Sequence, residues 1–66
     1  MTMPTITVQM YVGRTLDQKR ELVRTVTDAV VNSLGVPAAS VNIAILEVEK
    51  HHSAHGGILT IDRRSD

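Results

Sequence analysis

At 66 residues, with seven basic and seven acidic side chains and no cysteine, the chain excludes a disulfide framework, a Cys/His structural zinc site and the electrostatic footprint of a nucleic-acid or anionic-membrane binder. Its 42% hydrophobic and 21% charged residues make it too apolar for a disordered segment, and a lone tyrosine without Phe or Trp makes its core aliphatic and leaves little to stack on bases. No apolar run reaches the roughly 20 residues of a membrane span and no charged-then-apolar signal peptide opens the chain, so a cytoplasmic location is expected.

Residues 1–66 read as one domain. A domain of this size buries only about 60% of the surface its unfolded chain exposes. Without disulfides or a structural metal, the missing support is expected from further copies of the chain in an obligate oligomer.

Pro4 to Arg14 reads as the first strand. Ile6, Val8, Met10 and Val12 alternate with Thr5, Thr7, Gln9 and Tyr11, the period-two pattern of a strand buried on one face. A proline suits the opening position, since it has no N–H to give a ladder. Gly13-Arg14 follows as a turn. Thr15-Leu16-Asp17-Gln18 has the form of a capping box, so a helix is expected over about 16 to 34. Its apolar stripe is Leu22, Val23, Val26, Ala29, Val30 and Leu34, with Gly35 and Pro37 ending it. Lys19, Arg20 and Arg24 are expected on the outer, solvated face among Asp17, Glu21 and Asp28.

Val41 to Val48 reads as a second strand that is apolar on both faces: Val41, Ile43 and Ile45 against Ala44, Leu46 and Val48. One helix can cover only one of these faces, which again calls for another subunit. Strand, helix, strand is a β-α-β unit with parallel strands. Pro4 and Asn42 should then share one edge of the sheet, with Tyr11 and Gly13 towards the other. Beyond Glu49, the polar run Lys50 to Gly57, the apolar run Ile58 to Ile61 and the charged tail to Asp66 suggest a C-terminal hairpin arm turning at Gly56-Gly57 and lying across a neighbour.

A unit of this size carrying Pro4, Gly13-Arg14, Thr15, Asp17-Gln18-Lys19, Ser33-Leu34, Pro37, Ser40-Val41, Glu47, Lys50, His52 and Gly56-Gly57 resembles the 4-oxalocrotonate tautomerase family. The resemblance runs without gaps from Pro4 past Gly57. It implies an α/β tautomerase-type fold assembled as a hexamer or another trimer-based oligomer. It also implies an isomerase, needing no cofactor, that moves a proton between positions of a small enol or keto carboxylic acid, with an amino-terminal proline as base. A proline amine starts near the reference α-amino pKa of about 8. An apolar pocket beside arginines disfavours its ammonium form, so it can accept a proton near neutrality.

Carried onto this chain, the catalytic position is Pro4. It becomes a base only in a chain that starts there, through initiation at Met3 or processing, because Met3 otherwise acylates its nitrogen. Arg14 matches the arginine that binds the substrate carboxylate. Asn42 stands where a second arginine polarises the carbonyl, Ser53 where an aromatic makes the pocket apolar, and Tyr11 at an apolar wall position; Asn42, Tyr11 or a histidine is expected to polarise the carbonyl here. Each has a plainer role open to it: Pro4 as a strand-opening proline, Arg14 as a turn cation, Asn42 as a backbone-satisfied polar residue and Tyr11 as packing. His51, His52 and His55 have no helix beneath them and no completing Cys or acidic cluster, so no metal site is expected. They read as a loop at the pocket rim, with one histidine as a further candidate proton donor. Two other functions stay open: a non-catalytic member of the fold that binds a ligand or partner, and one subunit of a hetero-oligomer whose other chain supplies the missing cation or free proline.

Overall fold

The computed structural model describes residues 4–63; Met1 to Met3, which bear on where the chain starts, and the end of the charged tail lie outside them. β1 spans Thr5–Tyr11, α1 Leu16–Leu34 and β2 Asn42–Val48, and the two strands pair in parallel from Thr5 opposite Asn42 to Tyr11 opposite Val48. Short 3-10 turns at Ala38–Ser40, Lys50–His52 and Thr60–Asp62 join and follow these elements. β3 (Ala54–His55) and β4 (Ile58–Leu59) form an antiparallel hairpin. The expected β-α-β unit with its hairpin is therefore present.

Local chemistry places the ends. The Thr15 Oγ1 accepts from the Gln18 N–H at 3.1 Å, while the Gln18 Oε1 accepts from the Thr15 N–H at 2.9 Å. Two otherwise orphaned helix donors are thereby satisfied. Gly35 closes the helix in the left-handed region at φ 68°, its N–H bonded to the Val31 carbonyl. Gly56 and Gly57 take φ 61° and 85°, the two positive values that a two-residue hairpin turn with the correct twist requires.

Several expectations need correction. The covered stripe of α1 is Lys19, Leu22, Val23, Val26, Thr27, Val30 and Val31, whereas Ala29 and Leu34 are exposed. Lys19 does not belong to the solvated face: its Nζ reaches Glu47 Oε2 on β2 at 2.7 Å, with both side chains about 70% covered. Glu47 pairs with Met10 in the ladder, so it faces the helix. The Lys19 stem lies along apolar surface and delivers its ammonium to that carboxylate. Arg20 does pair with Asp17, and Arg24 with Glu21 and Asp28, on the outer face. Val41 precedes β2 as the cap of a 3-10 turn, Val12 lies beyond the end of β1 and is exposed, and Thr60 and Ile61 leave β4 for a turn.

The helix covers only one side of the sheet. Thr5, Thr7, Gln9 and Tyr11 on β1 and Asn42, Ala44 and Leu46 on β2 are exposed on the other, with Leu46 at 51%. Among the described residues none is fully buried. The Cα radius of gyration is 15.3 Å, against about 11 Å for a compact globule of this length. A chain of this shape has half of a core.

Candidate functional site

The parallel register divides the expected site residues into two groups. At the amino end of the sheet, Pro4 is half-buried and its carbonyl accepts from the Asn42 N–H at 2.9 Å, while the Asn42 side-chain amide donates to the Ser40 carbonyl at 3.5 Å. Arg14, Tyr11 and Ser53 gather at the carboxyl end. Seven residues at about 3.3 Å each put roughly 23 Å of strand between Pro4 and Tyr11. One copy therefore does not bring Pro4 and Arg14 to a common point.

At the carboxyl end, β1 leaves the ladder after Val12, whose N–H still reaches the Val48 carbonyl at 3.1 Å, and the chain turns through Gly13 and Arg14 into the helix cap. Around that turn lies a cleft of about 690 Å³, lined by Gln9, Tyr11, Arg14, Val48, Lys50 and Ser53 among others. Among the described residues neither Arg14 nor Lys50 is in an ion pair. Two cations at the mouth of one cleft, with apolar Val48 and Met10 in its wall, suit a small carboxylate whose remainder is carbon. The fork of a guanidinium matches the two oxygens of a carboxylate and fixes its plane.

Tyr11 closes one side of this cleft through a cluster of hydroxyls. Its Oη lies 3.2 Å from Ser53 Oγ and 3.1 Å from Thr60 Oγ1, and Thr60 donates to Ser53 at 3.2 Å. The Ser53 and Thr60 hydroxyls, in that order, hold the phenol below its ordinary pKa, with smaller help from the charges of Lys50 and Arg63 against a desolvation that acts the other way. Thr60 is absent from the residues expected to matter. The hairpin could have found it: a two-residue Gly56-Gly57 turn pairs His55 with Ile58 and Ala54 with Leu59, so Ser53 and Thr60 come next, and the Thr60 N–H reaches the Ser53 carbonyl at 2.7 Å.

The three histidines follow on the Lys50–His52 turn and β3. The rings of His51 and His52 meet edge to face at 4.2 Å, and His55 borders a smaller hollow of about 310 Å³ on the far side of Tyr11 with Thr60 and Arg63. Among the described residues no group of three His, Asp or Glu side chains converges as a metal site would require.

Comparison with known proteins adds to this geometry. Residues 4–62 match the family model described as tautomerase enzyme. The 2-hydroxymuconate tautomerase of Bacillus subtilis is 44% identical over 83% of this chain and 89% of its own. The crystal structure of YwhB, a homologue of 4-oxalocrotonate tautomerase, superposes with a TM-score of 0.87 at 39% identity over 92% of this chain and 100% of that one. The heterohexamer 4-oxalocrotonate tautomerase from Chloroflexus aurantiacus does so with a TM-score of 0.85 at 35% identity, over 94% and 100%.

Proposed function

The chain belongs to the tautomerase family, and from that premise we propose that it interconverts keto and enol forms of a small carboxylic acid in a site shared between copies of itself. Isomerisation by proton transfer is the chemistry of that family. The finer assignments are ours. Pro4, as the first residue of the working chain, is the base; Arg14 binds the substrate carboxylate; Asn42, Tyr11 and Ser53 contact the remainder of the substrate. The whole of residues 1–66 acts as one domain, and the working location is the cytoplasm.

The observation that carries this reading is the open cleft at Arg14, set at the opposite end of the sheet from Pro4. A proline base is useful only where a carboxylate anchor holds the reacting carbon over its nitrogen, and one copy puts about 23 Å of strand between Pro4 and the Tyr11 edge of that cleft. Laying a second copy against the exposed sheet face supplies the missing half-core and can bring the Pro4 of one copy to the Arg14 cleft of another. A hexamer, or another assembly built from trimers, provides such contacts repeatedly. Six copies in a closed assembly would leave no exposed Leu46 face. The carbon walls of the shared cleft would lower the cost of a neutral amine, and Arg14 would repel its ammonium form.

The uncharged Asn42, standing where a second cation would polarise a carbonyl, favours one further reading: a mixed assembly in which a second small chain contributes that charge. The heterohexamer relative shows the fold assembling from unlike chains.

Two measurements test the proposal. Intact mass of the protein from its native source should correspond to a chain beginning at Pro4, and a second small chain in the same complex would select the mixed assembly. Phenylpyruvate enol–keto conversion by the form beginning at Pro4 should fall by at least about 100-fold in Pro4→Ala. Equal rates remove Pro4 from the mechanism, and a native chain always acylated at Pro4 leaves a binding protein rather than an enzyme.

A further inference from the structure

We propose that the Tyr11 hydroxyl holds the reacting carbonyl oxygen of the substrate, as the last link of a directed chain of side-chain hydroxyls running from Thr60 through Ser53; this deepens the tautomerase reading above and rests on it. Each of the three hydroxyls has one proton and two lone pairs. The Thr60 proton goes to Ser53, so Thr60 has none left for Tyr11, and the contact of 3.1 Å between them has Tyr11 as donor. The Tyr11 proton is then committed, and the remaining contact of 3.2 Å has Ser53 as donor. The three bonds form a closed ring running in one direction.

Such a ring can be opened at low cost. When a substrate oxygen arrives, Tyr11 turns its proton from Thr60 to the newcomer, while Thr60 still donates to Ser53 and Ser53 still donates to Tyr11. One hydrogen bond is exchanged for another. What was a ring becomes a chain of three links pointing into the cleft, and bonds aligned in this way polarise one another, making Tyr11 a better donor than an isolated phenol.

The location selects the substrate class. In a 2-oxo acid the carboxylate and the carbonyl sit on adjacent carbons, so the groups that hold them must line the same cleft. Tyr11 and Arg14, three residues apart at the strand exit, line that cleft within one copy, whereas Asn42 reaches it only alongside the Pro4 of a second copy. The ligand expected is a 2-oxo acid or its 2-hydroxy-2-ene tautomer. Pro4 nitrogen removes a proton from the carbon next to the carbonyl, and that C–H electron pair forms the new carbon–carbon double bond. The carbonyl π pair moves onto oxygen, which takes the Tyr11 proton. The phenolate left behind accepts from Ser53 and, once its hydroxyl rotates, from Thr60. Lys50 and Arg63 supply positive charge, Arg14 faces the cluster from the strand exit and His55 from β3. The proton on Pro4 returns to Tyr11 through solvent, which restores both groups and leaves the enol as product.

Tyr11 is the only tyrosine and there is no tryptophan, so tyrosinate absorption reports this one residue. With the form beginning at Pro4 and phenylpyruvate as substrate, Tyr11→Phe should lower kcat about 100-fold, as removal of one oxyanion donor does, with KM moving much less. The alkaline limb of the kcat/KM profile should coincide with the tyrosinate midpoint of the parent and vanish in Tyr11→Phe. Ser53→Ala keeps the phenol but removes its donor, so the midpoint should rise and kcat fall; this arm decides if Tyr11→Phe does not assemble. Tyr11→Phe within about twofold of the parent, or a tyrosinate midpoint unmoved by Ser53→Ala, overturns the proposal. Pro4→Ala at the parental rate would instead end the base assignment, so the two failures are distinguishable.

Discussion

Replacing Leu46 by alanine should loosen the assembly while leaving the fold of each copy largely in place. Leu46 lies on the sheet face away from the helix and is 51% exposed in the isolated chain. Complete burial of a leucine is worth about 1.5–3 kcal/mol, so the half that only a neighbour can cover is worth about 1 kcal/mol per copy. For an assembly of the proposed six copies that sums to about 6 kcal/mol of assembly free energy, or about four powers of ten in the overall association constant. The midpoint concentration of a six-body equilibrium scales as the fifth root of the overall dissociation constant, so it should rise about eightfold. Leu46→Lys tests the same point more severely. It places on that face a charge whose desolvation costs several kcal/mol per copy, and the oligomer should be lost at any practical concentration. Sedimentation velocity over a dilution series, with circular dichroism on the same samples, reads both effects. If Leu46→Ala shifts no midpoint and Leu46→Lys sediments like the parent, the exposed sheet face is not the assembly surface, and the shared-site argument loses its physical basis.

Two further outcomes follow from the helix. Thr15→Ala removes a cap that, with Gln18, satisfies two backbone N–H donors, and should lower stability by about 1 kcal/mol in denaturant unfolding at fixed protein concentration, with Thr15→Ser close to the parent. Glu21 is held below the usual carboxylate range, chiefly by its hydrogen bond to Arg24 and then by that residue's charge. A carboxylate depressed in the folded state stabilises the fold at pH above its unfolded value, and this contribution is lost as pH falls through the folded value. Arg24→Gln should therefore flatten the acid side of a stability–pH curve and leave its shape above about pH 6 unchanged; an identical acid limb would refute the assignment.

The elements were legible because local chemistry dictates them. Thr15 with Gln18 marks the start of α1, Gly35 its end and Gly56-Gly57 the hairpin, all from backbone needs that a few residues settle. The helix face was less legible. Periodicity assigned Ala29 and Leu34 to the covered stripe by their apolarity, but a stripe is fixed by what packs against it, and Thr27 and Val31 are partly covered instead. Lys19 was placed outside on charge alone, since nothing local announces that Glu47 will face it across the layer. The site shows the same limit. Arg14 and Tyr11 stand out by their position at a strand exit, whereas Thr60 matters only once the hairpin returns it to Tyr11, 49 residues away in the chain.

With Pro4 and Arg14 at opposite ends of the ladder that runs from Thr5 opposite Asn42 to Tyr11 opposite Val48, the proposed shared site would make damage to this protein repairable by mixing. Copies crippled at Pro4 and copies crippled at Arg14 should each be inert alone, but scrambled together they should regenerate some crevices that inherit the sound end of each. Dilution should have the opposite consequence: below the concentration at which copies meet, every intact chain should fall silent, and abundance itself would act as a throttle on turnover.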